Sequence, residues 1–228
     1  MAVTVDMKAL LEAGAHFGHK TSRWHPKMAP YIYSKRGGAH IINLEKTADA
    51  LEKALPEITD LVKSGKKVLF VGTKKQLKDT VKAAAESADM PYVTVRWVGG
   101  TLTNVATVNR QIKKLKDLER KMSTGELEAR YNKLEVQRFQ EEIDLLNERY
   151  GGIKEMSEQP AAIIVTDAIE DKNAIKEANI LHIPVFALTD TNVNPTNIDY
   201  VIPMNDDSIK ATELVLSYFV DAIKAGKK

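Results

Sequence analysis

Short apolar segments alternate with amphipathic segments along most of the chain. The apolar segments read KVLFVG, YVTVRW, AAIIVTD, PVFALTD and VIPMNDD, and each is shorter than an ordinary helix. Apolar positions that recur every three or four residues predict helices over 45–63, 74–88 and 208–225, and another through Ala174 and Ala178. Buried strands that alternate with helices are typical of a parallel sheet covered on both faces. The pattern therefore predicts an α/β fold with a flavodoxin- or Rossmann-like parallel sheet flanked by helices.

The segment 104–150 interrupts this alternation with two longer apolar stripes at helical spacing. Two such stripes joined by a short turn predict an antiparallel, coiled-coil hairpin, with Ser123 and Glu126 forming a capping box for its second helix. The stripes are Val105, Val108, Ile112, Leu115, Leu118 and Met122, then Val136, Phe139, Ile143, Leu146 and Tyr150. We expect three regions: an N-terminal helix with a basic arm over 1–43, an α/β domain over 44–103 and 151–228, and the inserted hairpin over 104–150.

Residues 15–40, which we call the arm, combine glycine, proline, aromatic and basic residues without helical periodicity. We expect an extended segment with a short hairpin at Gly37 and Gly38. The formal net charge of the chain is only +2, yet no acidic residue lies between Glu12 and Glu45. Clustered cations neutralise phosphates and exposed rings stack on unpaired bases, so this composition favours RNA binding. The alternative is an ordinary solvated basic face.

Residue types and motifs that the sequence lacks exclude several kinds of chemistry and classes of protein. The chain has no cysteine, which excludes disulfides, thiolate catalysis and cysteine-ligated zinc. No apolar run approaches the roughly 18 residues of a membrane helix, and the N-terminal segment lacks a signal-peptide layout, so we expect a cytoplasmic protein. GxGxxG, P-loop and GxSxG motifs are absent, which favours a non-catalytic binding protein. The alternative is a nucleotide-binding Rossmann-type enzyme. A third hypothesis is a helical interaction scaffold that does not bind RNA.

Carboxylates and histidines suggest a metal site. In doubly wound folds, ligands bind at the carboxyl ends of the strands, where this chain carries Asp190 and Asp206. His16 and His19 are spaced so that two imidazoles can face one ion, and these ligand types suit zinc. The alternative is that the aspartates cap helices and turns. We expect no other cofactor.

Seven stretches of the chain resemble, in order, the family of bacterial small-subunit ribosomal protein two. They are LLEAGAHFGHKTSRWHPKMAPYIY, HIINLEKT, VLFVGTKKQ, RWVGGTLTN, GGIKEM, AIKEANILHIPVFALTDTNVNP and VIPMNDD. The resemblance implies a non-catalytic ribonucleoprotein component that supports translation, binds ribosomal RNA and docks the neighbouring small-subunit protein one. It implies neither membrane nor DNA binding. The chain departs from the family's usual residues at Ser22, His25, Ala168 and Met204.

The resemblance and the basic clusters together predict a set of RNA-binding side chains. Phosphate contacts are expected to dominate this set, with Trp24 as the best candidate for stacking on a base. The candidates are Lys20, Arg23, Trp24, His25, Lys27, Lys35, Arg36, Lys74, Lys75, Arg96, Trp97, Arg110, Lys113 and Lys114. On the hairpin, Lys116 extends this expected basic edge.

Overall fold

The computed structural model describes residues 5–156 and 158–227, and its elements follow the predicted order. The helices are α1 (Met7–Glu12), α2 (Leu44–Lys63), α3 (Lys78–Ser87), α4 (Val105–Ser123), α5 (Glu126–Arg130), α6 (Lys133–Tyr150), α7 (Lys172–Ile180) and α8 (Ile209–Gly226). The strands are β1 (Phe17–Lys20), β2 (Ile32–Arg36), β3 (Ala39–Ile42), β4 (Val68–Val71), β5 (Tyr92–Val93), β6 (Ala162–Val165), β7 (Val185–Thr189) and β8 (Tyr200–Pro203). The division into three regions stays a prediction, and its ends at residues 1 and 228 lie outside the described residues.

Strands β5-β4-β6-β7-β8 form a parallel sheet in that order, which confirms the predicted Rossmann-like layer. Every residue of β4, β6 and β7 is buried, as expected for strands covered on both faces. The chain goes outward from β4 to β5 and then returns to β6 on the other side of β4. This reversal places the topological switch point of the sheet between the carboxyl ends of β4 and β6.

Two apolar clusters cover the two faces of the sheet. Helices α2, α3 and α8 pack on one face through residues such as Leu51, Val81 and Phe219. On the other face, the buried residues of α4, α6 and α7 share one cluster with Leu69 and Val165 of the sheet. The two predicted stripes of the segment 104–150 therefore join the core of the sheet and do not pack only against each other.

The predicted antiparallel coiled coil is not confirmed. The side chain of Lys114 in α4 pairs with Glu142 in α6, and five residues further along both helices Asn147 Nδ2 donates to Glu119 Oε1 at 2.9 Å. These contacts and the shared apolar cluster show that the two helices pack together, but they do not establish a coiled-coil seam.

The cap predicted at Ser123 is wrong, because Ser123 is the last residue of α4. The short helix α5 follows Gly125, which has a left-handed φ of 71°. Asn132 instead caps α6 and forms a capping box with Glu135. The polar turn chemistry was correctly recognised, but the extra helix moved the cap nine residues along the chain.

The arm folds into a small antiparallel sheet with the order β1-β3-β2 and a 3-10 turn over Pro26–Tyr31. Gly37 and Gly38 have φ values of 59° and 79°, so the predicted hairpin is confirmed at the residues that tolerate such angles. Met28 and His40 are fully buried. The arm is therefore anchored by side chains of its own, which composition alone did not indicate.

Candidate nucleic-acid interface

The arm packs against the carboxyl edge of the parallel sheet, at the end of β7. The backbone N–H of His19 donates to Asp190 Oδ1 and to Thr191 Oγ1, both at 3.1 Å. The N–H of His25 donates to the carbonyl of Thr191 at 2.7 Å. Gly18 lies so close that an added Cβ would be 2.8 Å from Thr191 Cγ2. The arm is thus held against the carboxyl end of β7 by backbone hydrogen bonds and by close packing at Gly18.

Lys74 lies at the switch point of the sheet, surrounded by carboxylates. Its Nζ is 3.2 Å from Asp167, 3.0 Å from Asp206 and 2.7 Å from Asp207, and its side chain is only 18% exposed. Burial alone would lower the pKa of Lys74, but the hydrogen bond to Asp207 and the charges of Asp206 and Asp167 outweigh it, and the pKa is raised. Lys74 is therefore an internal cation with its own counterions, and the prediction that it binds RNA does not fit its position.

Asp206 is a strongly perturbed carboxyl of this network. Burial, followed by the negative charge of Asp167, raises its pKa to about 7, although Lys74 opposes the shift. The ring of His19 bridges the network to the arm, with Nδ1 2.7 Å from Asp190 Oδ2 and Nε2 3.8 Å from Asp207 Oδ2. The hydrogen bond to Asp190 raises the pKa of His19 above its ordinary value. Protonated His19 is thereby favoured as a link between arm and sheet.

The four metal candidates do not form a common ligand set. His19 and Asp190 are paired with each other, while the carboxylate of Asp206 binds the ammonium of Lys74. The ring of His16 packs on Phe17 at 4.0 Å. Over the residues that the structure describes, no group of three or more such ligands could hold a metal ion. The positive charge near these carboxylates is supplied by Lys74, so the geometry gives the metal hypothesis no support.

Nine predicted cations are exposed, and in the described part of the chain none of them forms an ion pair with a carboxylate. They are Lys20, Arg23, Lys27, Lys35, Arg36, Lys75, Arg96, Arg110 and Lys113. Lys114 and Lys116 differ, because they pair with Glu142 and Glu155. The basic edge of α4 is thus reduced to Arg110 and Lys113.

These cations line separate surfaces. Lys20 and Arg23 line a cleft of about 550 Å³ together with His19 and Asp190. Lys27 lies in a different groove of about 800 Å³, which also contains Lys46 and Lys53 and which sequence reasoning missed. The Nζ of Lys27 donates there to Thr196 at 2.6 Å. Lys46 and Lys53 are on the polar side of α2, where periodicity identified the buried positions only.

The aromatic candidates have different environments. Trp24 is partly exposed; its ring lies 5.2 Å from that of His40, and Lys35 Nζ is 5.8 Å from the Trp24 ring centroid. Trp97 is only 8% exposed, and its Nε1 donates to Glu177 at 2.9 Å. Because Trp97 is buried and its Nε1 is bound to Glu177, its position does not favour the direct RNA contact that was predicted for it.

His25 also has an internal contact. Its Nδ1 accepts a hydrogen bond from the N–H of Lys27 at 3.2 Å and caps the 3-10 turn. Half-buried His25 therefore stabilises the turn that presents Lys27.

The chain matches the family described as ribosomal protein S2 over residues 10–226. A relative from Fusobacterium nucleatum is 45% identical over 224 residues, covering 98% of this chain and 91% of the relative. A relative from a Roseiflexus species is 48% identical over 223 residues, covering 98% and 85%. One from Christiangramia forsetii is 46% identical over 228 residues, covering 99% and 75%. Each of them is named small ribosomal subunit protein uS2.

A doubly wound sheet with an arm packed at the carboxyl end of β7 and exposed cations without acidic partners fits an α/β binding protein. The chain belongs to the ribosomal protein S2 family. Its role is accordingly structural, in the small ribosomal subunit, and the resemblance predicted from the seven stretches is confirmed. The enzyme alternative is not supported by these relatives. None of the helices within the described residues has the length and apolar composition to cross a bilayer.

Proposed function

We propose that this chain binds small-subunit ribosomal RNA through phosphate contacts made by the arm, Lys75, Arg96 and the exposed face of α4. The observation that carries the proposal is the set of nine exposed cations without acidic partners. Unpaired cations release counterions when they meet phosphates, which supplies most of the affinity of sequence-independent binding. The folded arm holds several of these cations on β1, β2 and the turn between them. These segments therefore do not have to become ordered when RNA binds, which lowers the cost of binding.

Salt dependence tests this proposal directly. In a variant with Lys20→Gln, Arg23→Gln and Arg36→Gln, the slope of log affinity against log salt should become shallower by about 2.7, at about 0.9 per lost phosphate contact. Filter binding of ribosomal RNA fragments measures this slope, over a salt range of roughly 50 to 200 mM.

A matched control removes the same net charge elsewhere. Lys8, Lys63 and Lys82 are exposed and pair within their own helices with Glu12, Asp60 and Glu86. Changing these three lysines to glutamine should leave the slope nearly unchanged. Equal slopes in the two triple variants would mean that only net charge matters, and the proposed interface would be wrong.

We further propose that the chain docks the neighbouring small-subunit protein one. The support is the family resemblance. Purified small subunits lacking this chain should bind protein one less well, and adding the chain back should restore binding. Restored subunits that still fail to bind protein one would contradict this part of the proposal.

A further inference from the structure

The loop 97–103, between β5 and α4, folds around one buried carboxylate. Both oxygens of Glu177, in α7, accept hydrogen bonds from this loop, and Glu177 is only 8% exposed. The donors are Trp97 Nε1 at 2.9 Å, Gly100 N at 2.8 Å, Leu102 N at 3.0 Å, Thr103 N at 3.3 Å and Thr103 Oγ1 at 3.3 Å. Backbone N–H groups that converge in this way are typical of anion-binding loops, and here the anion belongs to the protein itself.

The ionised form of Glu177 is the one that this loop stabilises. Burial alone would raise the pKa of Glu177, but the hydrogen bonds from Trp97 and from the backbone of Gly100, Leu102 and Thr103 outweigh it, and the pKa is lowered. Gly100 has a φ of +91°, and a Cβ there would be 3.0 Å from Asn104 Cβ. The loop conformation therefore depends on both the glycine and the carboxylate.

The loop connects two parts of the proposed RNA interface. Arg96 directly precedes it, and Asn104, which caps α4 through a hydrogen bond from Thr107 N, directly follows it. Arg110 and Lys113 are three residues apart on the exposed surface of α4. Because α7 packs on the sheet, Glu177 fixes the loop, and through it both Arg96 and the start of α4, relative to the rigid core.

We propose that Glu177 is a positioning residue of the RNA interface, holding Arg96, Arg110 and Lys113 in the arrangement that binds RNA. This inference rests on the proposed RNA binding. It makes a distinctive prediction, because removing a negative charge should by itself strengthen binding to a polyanion. If Glu177 positions the cations, its neutralisation weakens binding instead.

The main variant is Glu177→Gln, which keeps the shape of the side chain. One amide oxygen can still accept from Trp97 and Gly100, but the NH₂ group then faces the N–H groups of Leu102 and Thr103 as a second donor. We expect faster amide exchange at these two positions and a changed Trp97 fluorescence. RNA affinity should fall, with a salt slope shallower by about 1.8 if two phosphate contacts are lost. Glu170→Gln, which neutralises an exposed acid just before α7, is the control and should not weaken binding.

Combining Glu177→Gln with the loss of the three cations tests whether Glu177 acts on RNA binding through them. In a background with Arg96→Gln, Arg110→Gln and Lys113→Gln, the change Glu177→Gln should cause no further loss of RNA affinity. An equal loss in both backgrounds, or unchanged affinity despite a loosened loop, would overturn the inference. If Glu177→Gln does not fold, Gly100→Ala disturbs the same loop from its other side and should give the same pattern. The arm variants test the proposed function separately, since RNA binding that depends on the arm but not on Glu177 contradicts the positioning role alone.

Discussion

Replacing Lys74 by methionine tests whether the switch point of the sheet is an internal charge network. The change removes the ammonium that lies within 3.2 Å of three carboxylates. Asp207 is 56% exposed and can be solvated, but Asp167 and Asp206 are only 7% and 3% exposed. Removing one partner of a buried charge pair costs about 3–5 kcal/mol, because the remaining charge is left uncompensated. The expected loss is a large part of the roughly 5–15 kcal/mol that stabilises a typical domain.

The loss should also depend on pH. The pKa of Asp206 is raised to about 7, from an ordinary value of 3.8, so the folded protein holds a proton that the unfolded chain releases between these values. Raising the pH through this window therefore lowers the stability that Asp206 contributes. Without Lys74, the ionised form of Asp206 is less favourable still. The destabilisation by Lys74→Met should be greatest near pH 8 and smaller near pH 5.5.

Urea unfolding followed by circular dichroism measures this effect. With a slope of about 3 kcal/mol per molar urea, the midpoint at pH 8 should fall by at least ~1 M. Lys75→Met is the matched control, because Lys75 is the exposed neighbour without an ion pair and its change should cost less than ~0.5 kcal/mol. Equal midpoints for the Lys74 variant and the unaltered protein at pH 8, or the same loss at both pH values, would refute the reasoning.

Three further predictions concern the arm and the two tryptophans. Gly18→Ala places a Cβ 2.8 Å from Thr191 Cγ2, so it should lower the free energy of unfolding by about 1–3 kcal/mol. Urea unfolding measures this loss, and amide exchange in β1 should become faster. An unchanged urea midpoint would contradict the close packing. The pKa of His19 is raised, so protonated His19 stabilises the folded protein. This stabilisation is complete below about pH 6.5, the ordinary pKa of histidine, and is lost as the pH rises through the pKa of the folded state. His19→Gln should therefore remove this part of the pH dependence of the free energy of unfolding. Trp24→Ala should weaken binding of single-stranded RNA by about 1–3 kcal/mol through lost stacking. Trp97→Phe removes one hydrogen bond to Glu177, so it should lower stability and weaken RNA binding only while Arg96, Arg110 and Lys113 are present. A loss of affinity for Trp97→Phe that persists without these three cations would indicate direct contact of Trp97 with RNA.

Features that depend on neighbouring residues in the chain were predictable from the sequence. The strands around Phe70, Ile164 and Phe186 are runs of apolar residues, and the helices between them follow a regular spacing, so the parallel sheet could be inferred without coordinates. Gly37 and Gly38 marked their hairpin because only residues that tolerate positive φ make such a turn. The burial of Glu177 also has a signal in the sequence, because Glu177 lies on the same helical face as the buried residues Ala174 and Ala178.

Features that depend on distant residues were decided by the tertiary structure alone. In the sequence Lys74 and Lys75 look alike, but folding brings Asp167, Asp206 and Asp207 to Lys74 and leaves Lys75 in solvent. Trp97 likewise looks like an RNA-binding residue in the sequence, but in the fold it is buried and donates to Glu177 of α7. The physical reason is that the charge state and exposure of a side chain depend on its surroundings in space, and contacts 80 or more residues apart leave no periodic signal along the chain.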